Sequence, residues 1–88
     1  MFVRIYRKSE DRELIVNLDH VSLIEVAYEV RMPEGVYLDI PLKEASENPD
    51  AVRLYKFSVG GEQFRLRAAP NDPVTQALAE IYNKAIKR

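Results

Sequence analysis

The chain contains no cysteine and no tryptophan, and it has one histidine and three glycines among its 88 residues. Without cysteine it cannot form a disulfide framework or a cysteine-ligated zinc site, so packing or oligomerisation must stabilise the fold. A reducing cytoplasm fits this composition best. No apolar run approaches the roughly 18 residues that a membrane span needs. We therefore expect a cytoplasmic protein with no signal peptide and no membrane anchor.

The sequence also offers little for catalysis. His20 stands beside Asp19 and Ser22, the three residue types of a nucleophilic triad. Neighbours on one turn do not point at one another, however, and such triads are assembled from distant segments. One histidine with scattered carboxylates also lacks the ligand spacing of a metal site. We expect a protein that is not an enzyme and has no catalytic residue, cofactor or metal.

Length and charge define a single domain with an uneven charge distribution. A chain of 88 residues does not divide into two independent cores. Its apolar fraction of 47% and net charge of -1 argue against disorder. Residues 1–50 hold six Lys and Arg against eleven Asp and Glu, whereas residues 51–88 hold seven against three. The two halves offer complementary potentials to a second copy of the chain.

The spacing of apolar residues changes once along the chain. They recur at every second position up to about residue 68, and at helical spacing from residue 72 onward. This order predicts an α+β domain over residues 1–88. Its six mostly antiparallel strands would form a curled sheet or small barrel, closed by one C-terminal helix. The predicted strands cover residues 2–7, 13–18, 22–31, 36–41, 51–59 and 62–68, and the predicted helix covers residues 73–87.

Alternation and turn residues predict the register of the strands. In the first hairpin, Ile5 lies opposite Leu14 on the apolar face. The second, third and fourth strands are expected to form a continuous meander, with Val30 opposite Val36. Residues 43–50 are expected to form a loop without regular structure.

The Gly60-Gly61 pair predicts a two-residue hairpin turn. That turn places Phe57 opposite Phe64 on the core face, and Lys56 opposite Arg65 on the other face. The predicted core consists of Ile5, Val16, Ile24, Val26, Tyr28, Leu38, Ile40, Tyr55, Phe57, Phe64, Leu66, Leu78 and Ile81.

The start of the helix is marked by Asp72, a favourable N-cap, and by Pro73, which suits the first helical position. An apolar stripe follows and is expected to dock the helix on the sheet. It consists of Val74, Leu78, Ile81 and Ala85, broadened by Ala77, Tyr82 and Ile86.

The outward face of the predicted sheet carries more apolar residues than an exposed face needs. The candidate interface residues are Ile15, Tyr37, Val52 and Leu54, with Ala27 beside them. One helix does not cover both faces of a six-stranded sheet, so this face can bury itself against another chain. Scattered surface apolar residues are the alternative, and they are common in monomers.

A second candidate surface is basic. Lys56, Arg65 and Arg67 share one face of the last hairpin, and Arg53 lies nearby on the opposite face. Like charges opposite each other need either solvent screening or an anionic partner. A nucleic-acid surface usually also brings a positive net charge and exposed aromatic residues beside the cations, whereas the net charge here is -1 and Tyr55, Phe57 and Phe64 are assigned to the core.

Two segments resemble known families. Residues 15–25 are similar to the strand, turn and strand that open several small bacterial proteins, and residues 59–64 with the helix after them are similar to their ending. Small flagellar and swarming-motility proteins are closest in outline, and bacterial pleckstrin-homology-like domains share a meander closed by a C-terminal helix. The resemblance covers the two ends and not the middle, where this chain has an extra hairpin around residues 32–35. No functional residue is carried over. It implies a bacterial cytoplasmic module.

These observations favour a small protein-interaction or accessory module whose partner is another protein or a second copy of the chain. The alternative is an anion or nucleic-acid binder that uses the basic hairpin face. No interaction with membranes is expected.

Overall fold

The computed structural model describes residues 1–86 and shows an α+β fold with six strands and a C-terminal helix. In chain order the elements are β1 (Phe2–Arg7), β2 (Arg12–Asn17), β3 (Val21–Arg31), β4 (Tyr37–Ile40), α1 (Leu42–Ala45), β5 (Ala51–Val59), β6 (Glu62–Arg67) and α2 (Pro73–Ile86). Two 3-10 turns, Lys8–Glu10 and Leu18–His20, flank β2. Lys87, the predicted end of the helix, lies outside the described residues.

The strands form two antiparallel sheets. One contains β1 and β2, and the other has the order β4-β3-β5-β6. Across residues 1–86 no ladder joins the two sheets, so they do not close into a barrel. The prediction of a continuous meander was therefore wrong at β2, because β3 pairs with β5 instead. The 3-10 turn at Leu18–His20 turns the chain out of the first sheet before β3 begins.

Both tight hairpins have the predicted register. Ile5 pairs with Leu14 in the first hairpin, and Phe57 pairs with Phe64 in the last. The rings of Phe57 and Phe64 stack with centroids 5.2 Å apart. Gly60 and Gly61 both have positive φ, at 56° and 83°, which a two-residue turn of this kind requires.

The register between β3 and β4 differs from the prediction by two residues. Val30 pairs with Leu38 rather than with Val36. The N–H of Met32 donates to the carbonyl of Val36 at 2.7 Å, so Val36 closes the turn and β4 begins at Tyr37. The predicted loop at residues 43–50 also differs, because α1 extends into it.

The main core lies between the two sheets and the first half of α2. Its buried side chains are Ile5, Val16, Leu18, Tyr55, Phe57, Phe64, Val74, Ala77 and Leu78. The N-cap prediction is confirmed, because Asp72 Oδ1 accepts a hydrogen bond from the Val74 N–H at 3.0 Å. Two core predictions were wrong. Leu38 is 52% exposed on the four-residue edge strand β4, and Ile81 is 36% exposed on α2 beyond its buried positions, which lie at residues 74–78.

Candidate functional site

The predicted basic face of the last hairpin exists, and a buried carboxylate pairs with two of its three cations. Glu29 on β3 has a side chain only 3% exposed. Its Oε1 accepts a hydrogen bond from Arg67 Nε at 2.9 Å, and its Oε2 accepts one from Arg65 Nη2 at 3.3 Å. The Arg67 guanidinium also lies 3.9 Å from the ring centroid of Tyr37 on the far edge strand. This arrangement leaves neither arginine as an unpaired cation.

Lys56, the third predicted anion-binding residue, is also paired. Its Nζ lies 3.4 Å from Oε2 of Glu25 on β3, and both side chains are well exposed. A surface pocket of about 390 Å³ brings Lys56 and Arg65 together with Glu25. The structure therefore groups the predicted cations on one face and adds acidic partners that the sequence interpretation did not assign.

The four candidate interface residues do not form one surface. Ile15 lies on the first sheet and is 66% exposed, whereas Tyr37, Val52 and Leu54 belong to the second sheet. Tyr37 and Val52 are half-buried. The prediction that Leu54 is exposed was wrong, because its side chain is 1% exposed.

Two observations account for the burial of Leu54. It pairs with Arg67 and Ala27, so it lies on β5, an inner strand of the sheet, beside the Arg67–Glu29 contact. The segment between β4 and β5 carries α1, which contacts β3, and Ala45 of α1 is buried outside the main core. The part of this face around Leu54 is therefore covered within the chain, whereas Glu25 and Arg65 on the same face stay exposed.

Three exposed apolar or aromatic residues share the outward face of the first hairpin. Phe2, Tyr6 and Ile15 are 71%, 59% and 66% exposed. Ile15 pairs with Arg4, which places Phe2 and Tyr6 diagonally on either side of it on the same face. Arg4 and Glu13 form an exposed ion pair on this face at 3.2 Å. We call Phe2, Tyr6 and Ile15 the hairpin patch.

Arg7 attaches the hairpin to the second sheet. Its Nη2 donates to the Gln63 carbonyl at 2.7 Å, and its Nη1 lies 3.0 Å from Oε2 of Glu62. Its guanidinium also stacks 4.7 Å from the ring centroid of Phe64. A cleft of about 370 Å³ separates β1 from β6 beyond this contact.

A different site surrounds Arg53 on the core face of β5. Its Nε donates to the hydroxyl of Tyr28 at 3.0 Å, and its Nη1 donates to the hydroxyl of Tyr55 at 3.1 Å. The ring centroid of Tyr82 on α2 lies 5.2 Å from the guanidinium carbon. The hydrogen bond to Tyr55 raises the pKa of Arg53 above its usual range, so its charge is permanent. The sequence interpretation placed Arg53 on this face but did not assign its tyrosine partners.

Among the side-chain hydrogen bonds of the described residues, none joins His20, Asp19 and Ser22 to one another. His20 is exposed in the second 3-10 turn, and Ser22 donates to the backbone carbonyl of Ser58 at 3.4 Å. In the described part of the chain no three His, Cys, Asp or Glu side chains are placed to hold a metal ion. No helix within residues 1–86 is long and apolar enough to cross a membrane.

Comparison with known proteins gave no match. No family model, no curated protein and no solved structure is significantly similar to the chain. The resemblance to small motility proteins and to pleckstrin-homology-like domains therefore stays a prediction, and function must be argued from the surfaces described above.

Proposed function

We propose that the chain is a protein-interaction module that forms a homodimer through the free edge of β2. The observation that carries this proposal is that Ile15, 66% exposed, lies in the middle of a strand whose second edge has no strand partner in residues 1–86. An unpaired edge presents a row of backbone N–H and C=O groups, and pairing with another strand satisfies them.

The other strand edges of the fold carry the features by which proteins usually block such pairing. β4 has four residues and is followed by Pro41, which cannot donate a backbone hydrogen bond. β3 has a register shift between Val21 and Leu23 where it extends past β4. On β6, the Gln63 carbonyl already accepts a hydrogen bond from Arg7. β1 faces β6 across the cleft.

β2 has none of these protections at its centre. Its sequence is RELIVN, which places three aliphatic residues in a row without proline or lysine. Its ladder with β1 runs from Arg12 to Asn17 without a bulge. A regular and apolar edge of this kind is the edge most suited to pairing.

Two-fold symmetry restricts how two copies of β2 can pair. Directly opposite residues of an antiparallel ladder point to the same face of the sheet, whereas successive residues of one strand point to opposite faces. The two-fold axis must therefore pass through a residue position, where a residue pairs with its own copy, and not between two residues. An axis at Ile15 places Ile15 opposite its own copy, Leu14 opposite Val16, and Glu13 opposite Asn17. An axis at Leu14 would instead place Glu13 opposite Ile15. We propose the axis at Ile15, since it pairs apolar residues with apolar residues.

Cysteine cross-linking tests this register directly, because the natural chain contains no cysteine. In the proposed dimer the two residues at position 15 have Cα atoms about 4.5–5.5 Å apart, within the range of a disulfide. Ile15→Cys should therefore give a disulfide-linked dimer on mild oxidation. Glu13→Cys is the matched control, because its two copies are offset by about 13 Å along the strand. The double variant Glu13→Cys with Asn17→Cys should cross-link again.

Sedimentation velocity over a concentration series tests the dimer itself. Wild-type protein should sediment as a dimer at high micromolar concentration, and Ile15→Lys should sediment as a monomer with unchanged far-UV circular dichroism. Leu23→Lys is the control, because Leu23 is 61% exposed on the other sheet. A monomeric wild type, or equal cross-linking at positions 13 and 15, would refute the proposal.

A further inference from the structure

Arg53 is held by hydrogen bonds but has no acidic partner. No Asp or Glu of residues 1–86 forms an ion pair with it, whereas Arg65 and Arg67 both pair with Glu29. Both of its hydrogen-bond acceptors are tyrosine hydroxyls, which carry no charge. The positive charge of Arg53 is therefore not neutralised by a neighbouring carboxylate.

The cluster around Arg53 contains more donors than acceptors. A guanidinium group has five N–H donors and no acceptor. Nε and Nη1 of Arg53 each use one donor on a tyrosine, and Nη2 makes no hydrogen bond to the described residues. The hydroxyls of Tyr28 and Tyr55 accept from Arg53, and neither donates to an atom of residues 1–86. Such a cluster is complementary to a group that only accepts hydrogen bonds, such as an oxyanion.

Arg53 and Tyr55 line a groove of about 400 Å³ between β5, the segment after β6 and the start of α2. This volume is at the lower end of the range for ligand pockets, about 300–1,000 Å³. The remaining lining residues are Ala51, Val52, Ala68, Ala69, Pro70, Thr75, Gln76 and Ala79, most of them small and apolar.

The other polar side chains that line the groove already have partners. The Thr75 hydroxyl lies 3.3 Å from the carbonyls of both Ala69 and Asp72, and Gln76 Nε2 donates to the Pro70 carbonyl at 2.8 Å. Asp72, which lies beside the groove in sequence, accepts the Val74 N–H with its carboxylate. Among the lining residues, Arg53 is therefore the only charged side chain, and the Tyr55 hydroxyl lies beside it.

We propose that this groove binds a carboxylate carried on a small apolar group, with Arg53 as the charged anchor. One planar guanidinium matches the charge and the two oxygens of a carboxylate. A phosphate dianion would need further cations, and the other lining residues are uncharged. Two sources supply this chemistry, a free short-chain carboxylic acid and the C-terminus of a peptide.

The test follows the Arg53 Nε–H signal in ¹⁵N–¹H NMR spectra while ligand is added. Butyrate should shift this signal in a saturable manner, and butyramide, its neutral analogue, should not. The affinity for butyrate, followed by the amide signals of the groove, should fall about tenfold or more in Arg53→Gln. Arg65→Gln is the matched control on the opposite face and should bind butyrate as the wild type does.

Further probes separate the sources and the alternatives. Tighter binding of N-acetylvaline than of butyrate would assign a peptide C-terminus, and the reverse order would assign a free acid. Either order supports the proposal. Equal shifts with butyramide, no saturation with any carboxylate, or tighter binding of inorganic phosphate would overturn it. If Arg53→Gln does not fold, the comparison of butyrate with butyramide on wild-type protein still tests whether binding at the groove requires the carboxylate.

Discussion

Replacing Arg65 and Arg67 together by methionine should destabilise the protein far more than their exposure suggests. The two side chains are 58% and 43% exposed, but the Glu29 carboxylate that they hold is 3% exposed. Removing both cations leaves a buried charge without a partner, and such changes cost about 3–5 kcal/mol. Methionine retains part of the apolar stem of each arginine, so the loss is mainly electrostatic.

Replacing the acid instead of the two cations should lower the free energy of unfolding by a smaller amount. Glu29→Gln leaves Arg65 and Arg67 without their acid, but water can solvate two half-exposed guanidinium groups. We expect a loss of about 1–3 kcal/mol, which corresponds to hydrogen bonds with charged groups. Lys56→Met is the matched control, because Lys56 pairs with an exposed glutamate, and it should cost less than about 1 kcal/mol.

Urea denaturation followed by far-UV circular dichroism measures these differences. The decisive comparison adds Glu29→Met to the Arg65→Met, Arg67→Met double variant. Because an apolar residue removes the unpaired buried charge, the triple variant should recover most of the lost free energy of unfolding. A triple variant no more stable than the double variant would refute the reasoning, as would a double variant no less stable than Lys56→Met.

Two further predictions concern the core and the first turn. Leu78→Ala should lower the free energy of unfolding by about 2–5 kcal/mol, because Leu78 is 0% exposed between α2 and the sheets, and an unchanged denaturation midpoint would show that α2 is not docked. The hydrogen bond from the Tyr6 hydroxyl to Asp11 at 2.7 Å raises the pKa of Tyr6, so its stabilising effect should be complete below the usual phenol pKa and be lost as pH rises through the raised value. Asp11→Asn should lower the Tyr6 pKa toward its usual range in a phenol absorbance titration, and an identical titration would contradict this assignment.

The sequence predicted those parts of the fold that short-range chemistry specifies. The pairing of Ile5 with Leu14 and of Phe57 with Phe64 follows from alternation across a short turn. Asp72 was identified as an N-cap because its side chain acts on a residue two positions away. In each of these cases the interacting residues are close in sequence, so few alternative arrangements compete.

The partners of β3 could not be predicted in the same way. Strands that follow one another usually pair, which favoured β2 beside β3. In the structure a 3-10 turn separates these strands, and β5 pairs with β3 across the segment that carries α1. Apolar alternation is equally satisfied by both pairings. A β2–β3 ladder can set Ile24 and Val26 against Val16 and Leu14, and in the structure they lie opposite Phe57 and Tyr55. The choice depended on three-dimensional packing that the pattern does not record.

The missing strand partner also explains why the candidate site was incomplete. Lys56 and Arg65 were correctly placed opposite each other from the Gly60-Gly61 turn, but their acidic partners lie on β3. Glu25 and Glu29 alternate with the predicted core residues of that strand, which places both on its outward face, four residues apart. A prediction that pairs β3 with β5 would also have placed Glu25 and Glu29 beside the basic face of the last hairpin, because the register follows from that pairing.

Part of the charge asymmetry of the sequence is satisfied within the fold, at Glu25 and Glu29. β3 belongs to the acidic half of the chain, whereas β5 and β6 belong to the basic half, and their pairing sets Glu25 against Lys56 and Glu29 against Arg65. The expectation that complementary halves attract a second copy therefore loses part of its basis. The dimer proposed at the β2 edge would instead form through backbone hydrogen bonds and apolar contact around Ile15. Such association should persist when ionic strength is raised, whereas steep weakening by salt would indicate charged contacts and would contradict the β2 edge as the interface.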